Sequence, residues 1–382
     1  MSSKRHPPAI YLDFNASTPL APEVVAAMTP YLTGGYGNPS TSHWAAAPAR
    51  DALATARTEV AELLGCPAAE VVFTSGGSEA NNLAIKGVVL ASSVTRPHVI
   101  TTAVEHPSVL ETCRALERRG ARVTYLPVDS TGRVDPADVR DALDSRTVLI
   151  SVMWANNEVG TLQPIREIRE IAAEHGVPFH SDAAQAAGKI PLSDVASDVD
   201  LVTVAGHKLY GPKGVGALRI RTGLRLEAQI HGGGQEHGLR SGTESALLVA
   251  GLGAACRLAN RDLDADRIKG LRDRFWSRLS LELGPALTLN GHSHERLPNT
   301  LNVSVKGWRG SELLSRLDGV AASTGSACHE GLDAVSPVLA AMALDRERAL
   351  GAIRFSLGRT TTEAEIDHVG ERLAAVVRRR LP

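Results

Sequence analysis

A lysine and an aspartate follow apolar runs at positions where they could do chemistry. Lys208 comes directly after the run 199–204 and lies in a glycine-rich stretch, AGHKLYGPKGVG. Most lysines face solvent, but one held at the end of a buried strand can lose its proton and form a Schiff base. Lys213 competes for this role, although Lys208 follows the strand more closely. Asp182, in FHSDAAQ, could face a cationic ring nitrogen or simply cap the next helix.

Three other motifs could bind an anion or an aromatic ring. Thr74–Glu79 (TSGGSE) is a turn of small residues, which indicates either a phosphate cradle or a plain tight turn, with Ser78 as the expected N-cap. His106, in AVEHPSV, could stack on a ring, but a lone histidine is more often structural. Arg354, in the apolar run IRFSLGR, needs an anion. A clamp on a substrate carboxylate and a structural ion pair both provide one.

One of the four cysteines lies in a setting that suits a reactive thiol. Cys328 ends the small-residue stretch STGSAC, which predicts a mobile, exposed loop. The settings of Cys66, Cys113 and Cys256 are apolar or helical, so these three are expected to be structural. No pair has C-x-x-C spacing, which argues against a disulfide scaffold and a zinc site and favours a reducing cytoplasm.

Together these groups match what a pyridoxal phosphate enzyme needs. They are a phosphate cradle, a ring-stacking histidine, an acid for a ring nitrogen, a Schiff-base lysine and a carboxylate clamp. No G-x-x-x-x-G-K-[ST] motif is present, and no strand is followed by G-x-G-x-x-G with a later acidic residue. These absences argue against a nucleotide P-loop and a nicotinamide site.

The elements that must position these residues alternate between strand and helix, which predicts βαβ units and a mostly parallel sheet. Expected strands span 71–74, 98–102, 122–126, 148–152, 177–181, 199–204 and 215–220. Expected helices span 48–64, 78–90, 108–119, 135–143 and 164–175. A loop at 221–243 precedes helices reaching about residue 283, and then a smaller α+β unit with strands 299–305 and 352–356, helix 310–317 and a last helix ending at Arg380.

Composition limits the classes of function. The 382 residues carry a formal net charge of −1, which argues against a nucleic-acid binder held by a basic face. Hydrophobic residues make up 43% and charged residues 22%, as in globular enzymes. No apolar run reaches the roughly 18–20 residues of a membrane span, and no apolar leader is evident, so no membrane association is expected.

The ordered motifs resemble those of the cysteine desulfurases, within the class V aminotransferases. The match runs from Tyr11 to the last helix through YLDFNASTP, GNPS, FTSGGSEANNLAIKG, VEHPSV, NNEVGTLQPI, HSDAAQAAGK, GHKLYGPKGVGAL, HGGGQEHGLRSGT, LPNTLNVS, STGSAC and IRFSLGR. The STGSAC form is similar to the branch with the longer cysteine loop. The resemblance implies a homodimeric fold-type I enzyme with a large, mostly parallel seven-stranded sheet, helices on both faces and a smaller α+β domain. The expected limits are an arm at 1–14 packing with the small domain, a large domain at 15–260 and a small domain at 261–382.

The resemblance also implies a role for each matching residue. Lys208 carries the cofactor, Asp182 meets the pyridine nitrogen and Gln185 donates to the phenolic oxygen. His106 stacks on the ring and is also expected to act in catalysis by shuttling protons. The expected phosphate ligands are Gly77, Ser78, Thr203, His207 and, from the partner subunit, Thr243. Asn157 and Arg354 are expected to bind the substrate carboxylate, with Asn157 also near the cofactor. Cys328 would take sulfur from L-cysteine as a persulfide, leaving alanine.

Two departures from the family pattern affect these expectations. Ala205 stands where the family usually has a phosphate-binding serine. The chain ends soon after the last predicted helix, where many relatives have a longer tail that helps to dock an iron–sulfur scaffold. The sulfur acceptor is therefore open among iron–sulfur assembly, tRNA thiolation and DNA phosphorothioation through partner proteins. A selenocysteine lyase, another class V aminotransferase-like enzyme and a non-catalytic protein of the same fold remain as alternatives.

Overall fold

The computed structural model describes residues 9–324 and 335–379, apart from the side chain at position 195. The strands of these residues are β1 (Ile10–Tyr11), β2 (Val71–Thr74), β3 (His98–Thr102), β4 (Arg122–Leu126), β5 (Thr147–Ser151), β6 (Phe179–Asp182), β7 (Leu201–Ala205), β8 (Gly216–Ile220), β9 (Leu287–Asn290), β10 (Thr300–Val305), β11 (Val320–Ala321) and β12 (Ala352–Ser356). The helices are α1 (Pro22–Met28), α2 (Pro30–Thr33), α3 (Ala47–Leu64), α4 (Gly77–Ala91), α5 (Pro107–Glu117), α6 (Pro136–Ala142), α7 (Ile165–Glu174), α8 (Ser193–Ala196), α9 (Ala246–Arg261), α10 (Ala265–Leu283), α11 (Gly310–Ser315), α12 (Pro337–Ala341), α13 (Arg346–Leu350) and α14 (Glu363–Arg378). None of these described helices is both long and apolar enough to cross a membrane.

Seven strands form one sheet in the order β2–β8–β7–β6–β5–β3–β4. Strand β8 runs antiparallel to both of its neighbours, and the other pairs are parallel. The predicted large, mostly parallel seven-stranded sheet is confirmed. Because the carboxyl ends of the parallel strands meet at one edge, the turns that follow them are brought together there.

Helices cover both faces of this sheet. Phe73 and Ile150 pack with residues of α3, α7 and α9 in one apolar cluster. Their chain neighbours Val72 and Leu149 pack with residues of α4 and α5 in another. Successive side chains of a strand point to opposite faces, so the two clusters lie on opposite sides of the sheet. Burial on both faces explains why these strands are continuous apolar runs rather than alternating ones.

A second, three-stranded antiparallel sheet has the order β12–β10–β9. Its apolar cluster includes residues of α10 and α14, and Ile10 and Leu12 from the start of the chain belong to the same cluster. Strand β1 also pairs in parallel with β11. The first described residues of the chain therefore pack with its last third. The expected domain limits stay a prediction.

The structure corrects the expected start of α4. Gly76, not Ser78, is the N-cap residue, and the helix begins at Gly77 without a side-chain cap. Gly76 has a φ of 147°, a conformation that glycine adopts far more readily than serine. Ser78 therefore lies in the first turn, where backbone N–H groups have no partner within the helix.

Strands β9 and β11 have no counterpart among the predicted elements. They contain four and two residues, respectively. Such short segments contain too few residues for a two-residue hydrophobic period to be recognised. Strand β11 is defined by backbone pairing with the distant strand β1, and β9 by pairing with the predicted strand β10.

Candidate active site

The carboxyl ends of the parallel strands open onto a cleft of about 720 Å³. Its walls come from the turns after β2, β3, β5, β6 and β7, and from β12 of the smaller sheet. Most of the residues expected at the site line this one cleft, namely Gly77, Ser78, His106, Asn157, Asp182, Gln185, His207, Lys208 and Arg354. Residues as far apart in the chain as Gly77 and Arg354 therefore line one cleft.

Asp182 is the last residue of β6 and is only 7% exposed. Its Oδ1 accepts from the backbone N–H of Ala184 at 2.9 Å, and its Oδ2 accepts from Asn81 Nδ2 at 2.7 Å. No regular helix follows directly, so Asp182 closes a tight turn rather than capping a helix. Two donors hold the carboxylate in place at the cleft wall.

Asn81 is a site residue that the sequence patterns do not reveal. It lies on α4, is 1% exposed, and its Nδ2 donates to Ser108 Oγ at 2.8 Å as well as to Asp182. The available signal is a polar residue on an otherwise apolar helix face, beside Ala80 and Ala84. That signal marks a buried polar group but does not identify its partner.

His106 is the N-cap residue of α5, and its imidazole is fixed by the helix that it caps. The backbone N–H of Ser108 donates to His106 Nδ1 at 3.2 Å, and Ser108 Oγ lies 2.8 Å from the same nitrogen. Nδ1 therefore acts as an acceptor, which places the proton of the neutral ring on Nε2. Removal of the ring from bulk water lowers the pKa of His106, opposed by Asp182 and reinforced by Lys208.

Lys208 ends a short 3₁₀ turn directly after β7. Its Nζ donates to the backbone oxygens of Asn15 at 2.6 Å and Ala16 at 3.0 Å. Burial and the nearby Arg354 lower the pKa of Lys208 to about 8, against the opposing charges of Asp182 and Asp13. A lysine with this pKa has an appreciable neutral fraction near physiological pH, which a nucleophile or base requires. The competing Lys213 also lines the cleft but is exposed.

The start of α4 offers an anion site between β2 and β7. The N–H groups of Gly77 and Ser78 are unpaired within the helix, and a side chain at Gly76 would meet no atom within 4 Å, so open space adjoins the turn. His207 lines the same cleft. Burial and the nearby Lys208 lower the pKa of His207 to about 4. At neutral pH this histidine is therefore uncharged and can donate a hydrogen bond without adding charge.

Two expected phosphate ligands do not line the cleft. Thr203 is fully buried, and its Oγ1 lies 3.1 Å from His180 Nε2. Ala205 lies two residues further along the same face of β7 and lines the cleft. Thr203 therefore lies beneath the residues that line the cleft. Thr243 is exposed outside this cleft, and its expected contact with the partner subunit stays a prediction.

Arg354 on β12 is 3% exposed and lies at the cleft beside Asn157. Its Nη1 donates to the backbone oxygen of Asn157 at 2.8 Å, and its Nη2 donates to Asp13 Oδ1 at 2.7 Å. Its Nε is buried without a hydrogen-bond partner among the described residues. Asp13 orients the guanidinium, as the ion-pair interpretation predicts, and each terminal nitrogen keeps a second N–H for an incoming carboxylate, so the clamp interpretation stays a prediction.

Glu105 is a second buried acid at the cleft with no counterpart in the sequence analysis. Thr102 Oγ1 and the backbone N–H of Met153 donate to its Oε1 at 2.9 and 2.8 Å. Burial raises the pKa of Glu105 to about 8, so the group is mostly protonated at neutral pH. Asp182 differs from Glu105 in that both of its oxygens accept a hydrogen bond.

The thiol expected to react, Cys328, lies outside the described residues. The other three cysteines are described, and all are free. Burial raises the pKa of Cys66 to about 11 and that of Cys113 to about 12, and it raises the pKa of Cys256 further. None of these three is therefore a thiolate at neutral pH, in agreement with their expected structural role.

Comparisons with known proteins give a consistent result. A family model described as aminotransferase class-V matches residues 10–369. The chain is 44% identical over 372 residues to cysteine desulfurase IscS from Dictyoglomus turgidum, covering 96% of this chain and 94% of that protein. A solved structure titled NifS-like protein has a TM-score of 0.90 at 37% identity, covering 97% of this chain and 99% of that one. Another, titled SspA in complex with cysteine, has a TM-score of 0.82 at 37% identity, covering 91% and 98%.

Proposed function

This chain belongs to the aminotransferase class-V family, among the cysteine desulfurases, and from that premise we propose how its residues divide the reaction. The family's cofactor is pyridoxal 5′-phosphate. The observation that carries the residue assignment is the meeting of Asp182, Lys208 and Arg354 at one cleft. A carboxylate, a lysine of lowered pKa and a buried guanidinium with a free donor are the groups that this cofactor and an amino-acid substrate require.

The described residues fit the cofactor. The open space and free N–H groups at the start of α4 suit its phosphate, with Ser78 and His207 as further donors. Asp182 suits the pyridine nitrogen, because a carboxyl group held by two hydrogen bonds at the cleft wall can pair with a protonated ring nitrogen. Gln185 suits the phenolic oxygen, His106 the face of the ring and Lys208 the covalent attachment. When bound, the cofactor supplies an electron sink that makes the Cα proton of an attached amino acid acidic.

The chain's own groups then carry out the steps at the substrate. Arg354 and Asn157 bind the carboxylate of L-cysteine and orient its Cα–H. The neutral amine of Lys208 takes the Cα proton. The thiolate of Cys328 attacks the substrate sulfur, forming an S–S bond as the Cβ–S bond breaks. Cβ takes a proton that His106 delivers from solvent, and Lys208 returns its proton to Cα. The products are L-alanine and a persulfide on Cys328. The sulfur atom is thus transferred from substrate to enzyme without an external oxidant.

The enzyme is proposed to act as a homodimer and to pass sulfur to an acceptor protein. We expect a homodimer, because the large side chains of Tyr36 and Trp44 are 81% and 82% exposed and a second copy would cover such apolar surface. Sulfur would pass from Cys328 to an acceptor protein serving iron–sulfur assembly, tRNA thiolation or DNA phosphorothioation. We propose action in the cytoplasm, consistent with three free thiols among the described residues. Light scattering and cell fractionation test the dimer and the compartment.

The experiment that tests the function measures alanine and sulfide together. Purified protein with pyridoxal phosphate, L-cysteine and a reductant is expected to release the two in equal amounts. L-Selenocysteine is supplied in a parallel reaction, because a selenocysteine lyase would use it far better than cysteine. Failure of cofactor-loaded protein to release sulfide from cysteine would contradict the proposed activity. Release of alanine without sulfide would indicate that the cofactor catalyses a reaction other than the proposed desulfuration.

A serine at position 205 is expected to tighten cofactor binding. The Cβ of Ala205 lies 3.4 Å from where a side chain at Gly77 would begin, so a hydroxyl there would reach the phosphate turn. A new hydrogen bond to a charged group predicts that Ala205→Ser lowers the dissociation constant for pyridoxal phosphate by about 10–100-fold. Absorbance titration of apo protein measures it. Ala205→Val, which adds volume without a donor, is the control, and an equal gain there would exclude a hydroxyl contact.

Uptake of the cofactor is expected to depend on pH through Lys208. Its attachment requires the neutral amine, and the pKa of Lys208 is lowered to about 8. Because a base loses its proton as pH rises, the uptake rate at limiting cofactor should increase up to about pH 8 and then level off. Stopped-flow absorbance of apo protein mixed with pyridoxal phosphate gives the profile. A rate still rising well above this range would show an unperturbed lysine.

A further inference from the structure

Lys189 lies behind the cleft and has no part in the mechanism described so far. It follows β6 in the chain, four residues after Gln185. Its Nζ donates to Asn15 Oδ1 at 2.9 Å and to Gln185 Oε1. Burial lowers the pKa of Lys189 well below its usual value, with Lys208 and Arg354 adding to the effect. A lysine is costly in such a place, so its two contacts require an explanation.

The contacts of Gln185 leave its amide only one orientation. Gln185 is 5% exposed, its Nε2 donates to the backbone oxygen of Asn15 at 2.9 Å, and its Oε1 accepts from Lys189. A backbone carbonyl oxygen only accepts, so Gln185 Nε2 must face Asn15, and its Oε1 is left to accept from Lys189. The second N–H of Gln185 makes no hydrogen bond to a described residue, and this side chain lines the cleft.

Asn15 fixes the other contact of Lys189. It is 1% exposed, and its Oδ1 also accepts from Asn299 Nδ2 at 3.0 Å. Its Nδ2 donates to Thr300 Oγ1 at 2.8 Å, so its amide cannot turn over without breaking both bonds. Lys189 is therefore held by an acceptor that is anchored to the smaller sheet. Its contact with Gln185 Oε1 in turn fixes the position of that amide oxygen.

We propose that Lys189 is a positioning residue, which keeps the amide oxygen of Gln185 away from the cleft and its free N–H directed into it. The proposal rests on the proposed function, in which Gln185 donates to the anionic phenolic oxygen of the cofactor. Without Lys189, Gln185 Oε1 loses its donor and the single bond from Nε2 to the Asn15 oxygen holds the amide, so the amide can turn over in part of the molecules and present its oxygen to that anion. The cofactor's conjugated system would then lose a hydrogen bond that favours its anionic oxygen, and its proton affinity would rise.

The test measures the bound cofactor at rest rather than turnover. Cofactor-loaded protein without substrate is titrated with base, and the pH at which its visible absorbance band changes is recorded. Lys189→Met is expected to raise this pH by about one unit, the size of one hydrogen bond to a charged group. Lys189→Arg keeps the donors and is expected to stay near the wild-type value. Lys86→Met, a half-buried lysine of α4 outside the cleft, controls for loss of a lysine charge.

A double-variant cycle separates this role from general destabilisation. Gln185→Ala should raise the same pH, and Lys189→Met added to Gln185→Ala should raise it no further. No shift in Lys189→Met alone, or an undiminished shift on the Gln185→Ala background, overturns the role of Lys189. If Gln185→Ala itself changes nothing, the contact of Gln185 with the cofactor is wrong and the Lys189 inference falls with it.

Two further outcomes are distinguishable from these. Wild-type protein that binds no pyridoxal phosphate would contradict the proposed function itself. If Lys189→Met does not fold, Lys189→Ala replaces it, because alanine likewise removes the donor to Gln185 Oε1. A shift in the same direction is then expected, and no shift would overturn the proposal.

Discussion

Replacing Lys208 with alanine is expected to reduce alanine formation from L-cysteine by at least about 10²–10⁴-fold, the usual contribution of a positioned acid–base group. Lys208 Nζ lies at the cleft with a pKa lowered to about 8, whereas His106 carries its proton on Nε2 and cannot accept another there while neutral. Among the described residues, the exposed Lys213 is the one other lysine that lines this cleft. Single-turnover amino-acid analysis after mixing loaded protein with cysteine measures the loss.

Two matched variants show whether the loss reflects proton transfer. Lys208→Arg keeps a positive charge and donors for the oxygens of Asn15 and Ala16, but a guanidinium cannot give up its proton at any working pH. It should therefore be as inactive as the alanine variant. Lys213→Met removes the nearby exposed lysine and should retain most of the activity. The reverse result, with Lys213 essential and Lys208 dispensable, would reassign the reactive lysine.

The parts of the site that follow strands could be predicted from the sequence. Lys208 follows an apolar run because β7 is buried on both faces, and Asp182 is the last residue of the buried strand β6. The carboxyl ends of such strands meet at one edge, so a local pattern was enough to place both residues in the same cleft. Arg354 was recognisable for a related reason, because an arginine inside an apolar strand requires an anion.

Other parts depend on contacts that no local pattern contains. Asn15 bonds to Thr300 and Lys208, which are hundreds of residues away in the chain, and Asp13 pairs with Arg354 across a similar separation. Such pairs are fixed by the packing of the first strand against the smaller sheet, so the motif YLDFNAS alone cannot identify them. Thr203 is a different case. The motif places it at the cleft, whereas in the structure it lies one strand step deeper and its Oγ1 contacts His180 Nε2.

The argument for Cys328 as the sulfur acceptor combines its setting in the sequence with the chemistry of the other cysteines. A thiolate is required to attack the substrate sulfur. Burial raises the pKa of Cys66 to about 11 and of Cys113 to about 12, and Cys256 is raised further still. At neutral pH each of these is a protonated thiol surrounded by apolar side chains. Cys328, in the stretch STGSAC, is the remaining candidate.

Cys328→Ser is expected to reduce sulfide and alanine formation to background while leaving cofactor binding unchanged. A serine hydroxyl stays protonated at neutral pH and does not accept sulfur, whereas Asp182, Lys208 and Arg354 are untouched by the change. Cys66→Ser is the matched control, because it removes a half-buried free thiol of raised pKa and should keep most of the activity. Sulfide and alanine are measured together, and mass spectrometry of cysteine-treated wild-type protein locates one added sulfur atom on the peptide containing Cys328. Undiminished sulfide from Cys328→Ser would mean that the cleft releases sulfur without an enzyme thiol, and an added sulfur on another cysteine would move the acceptor there.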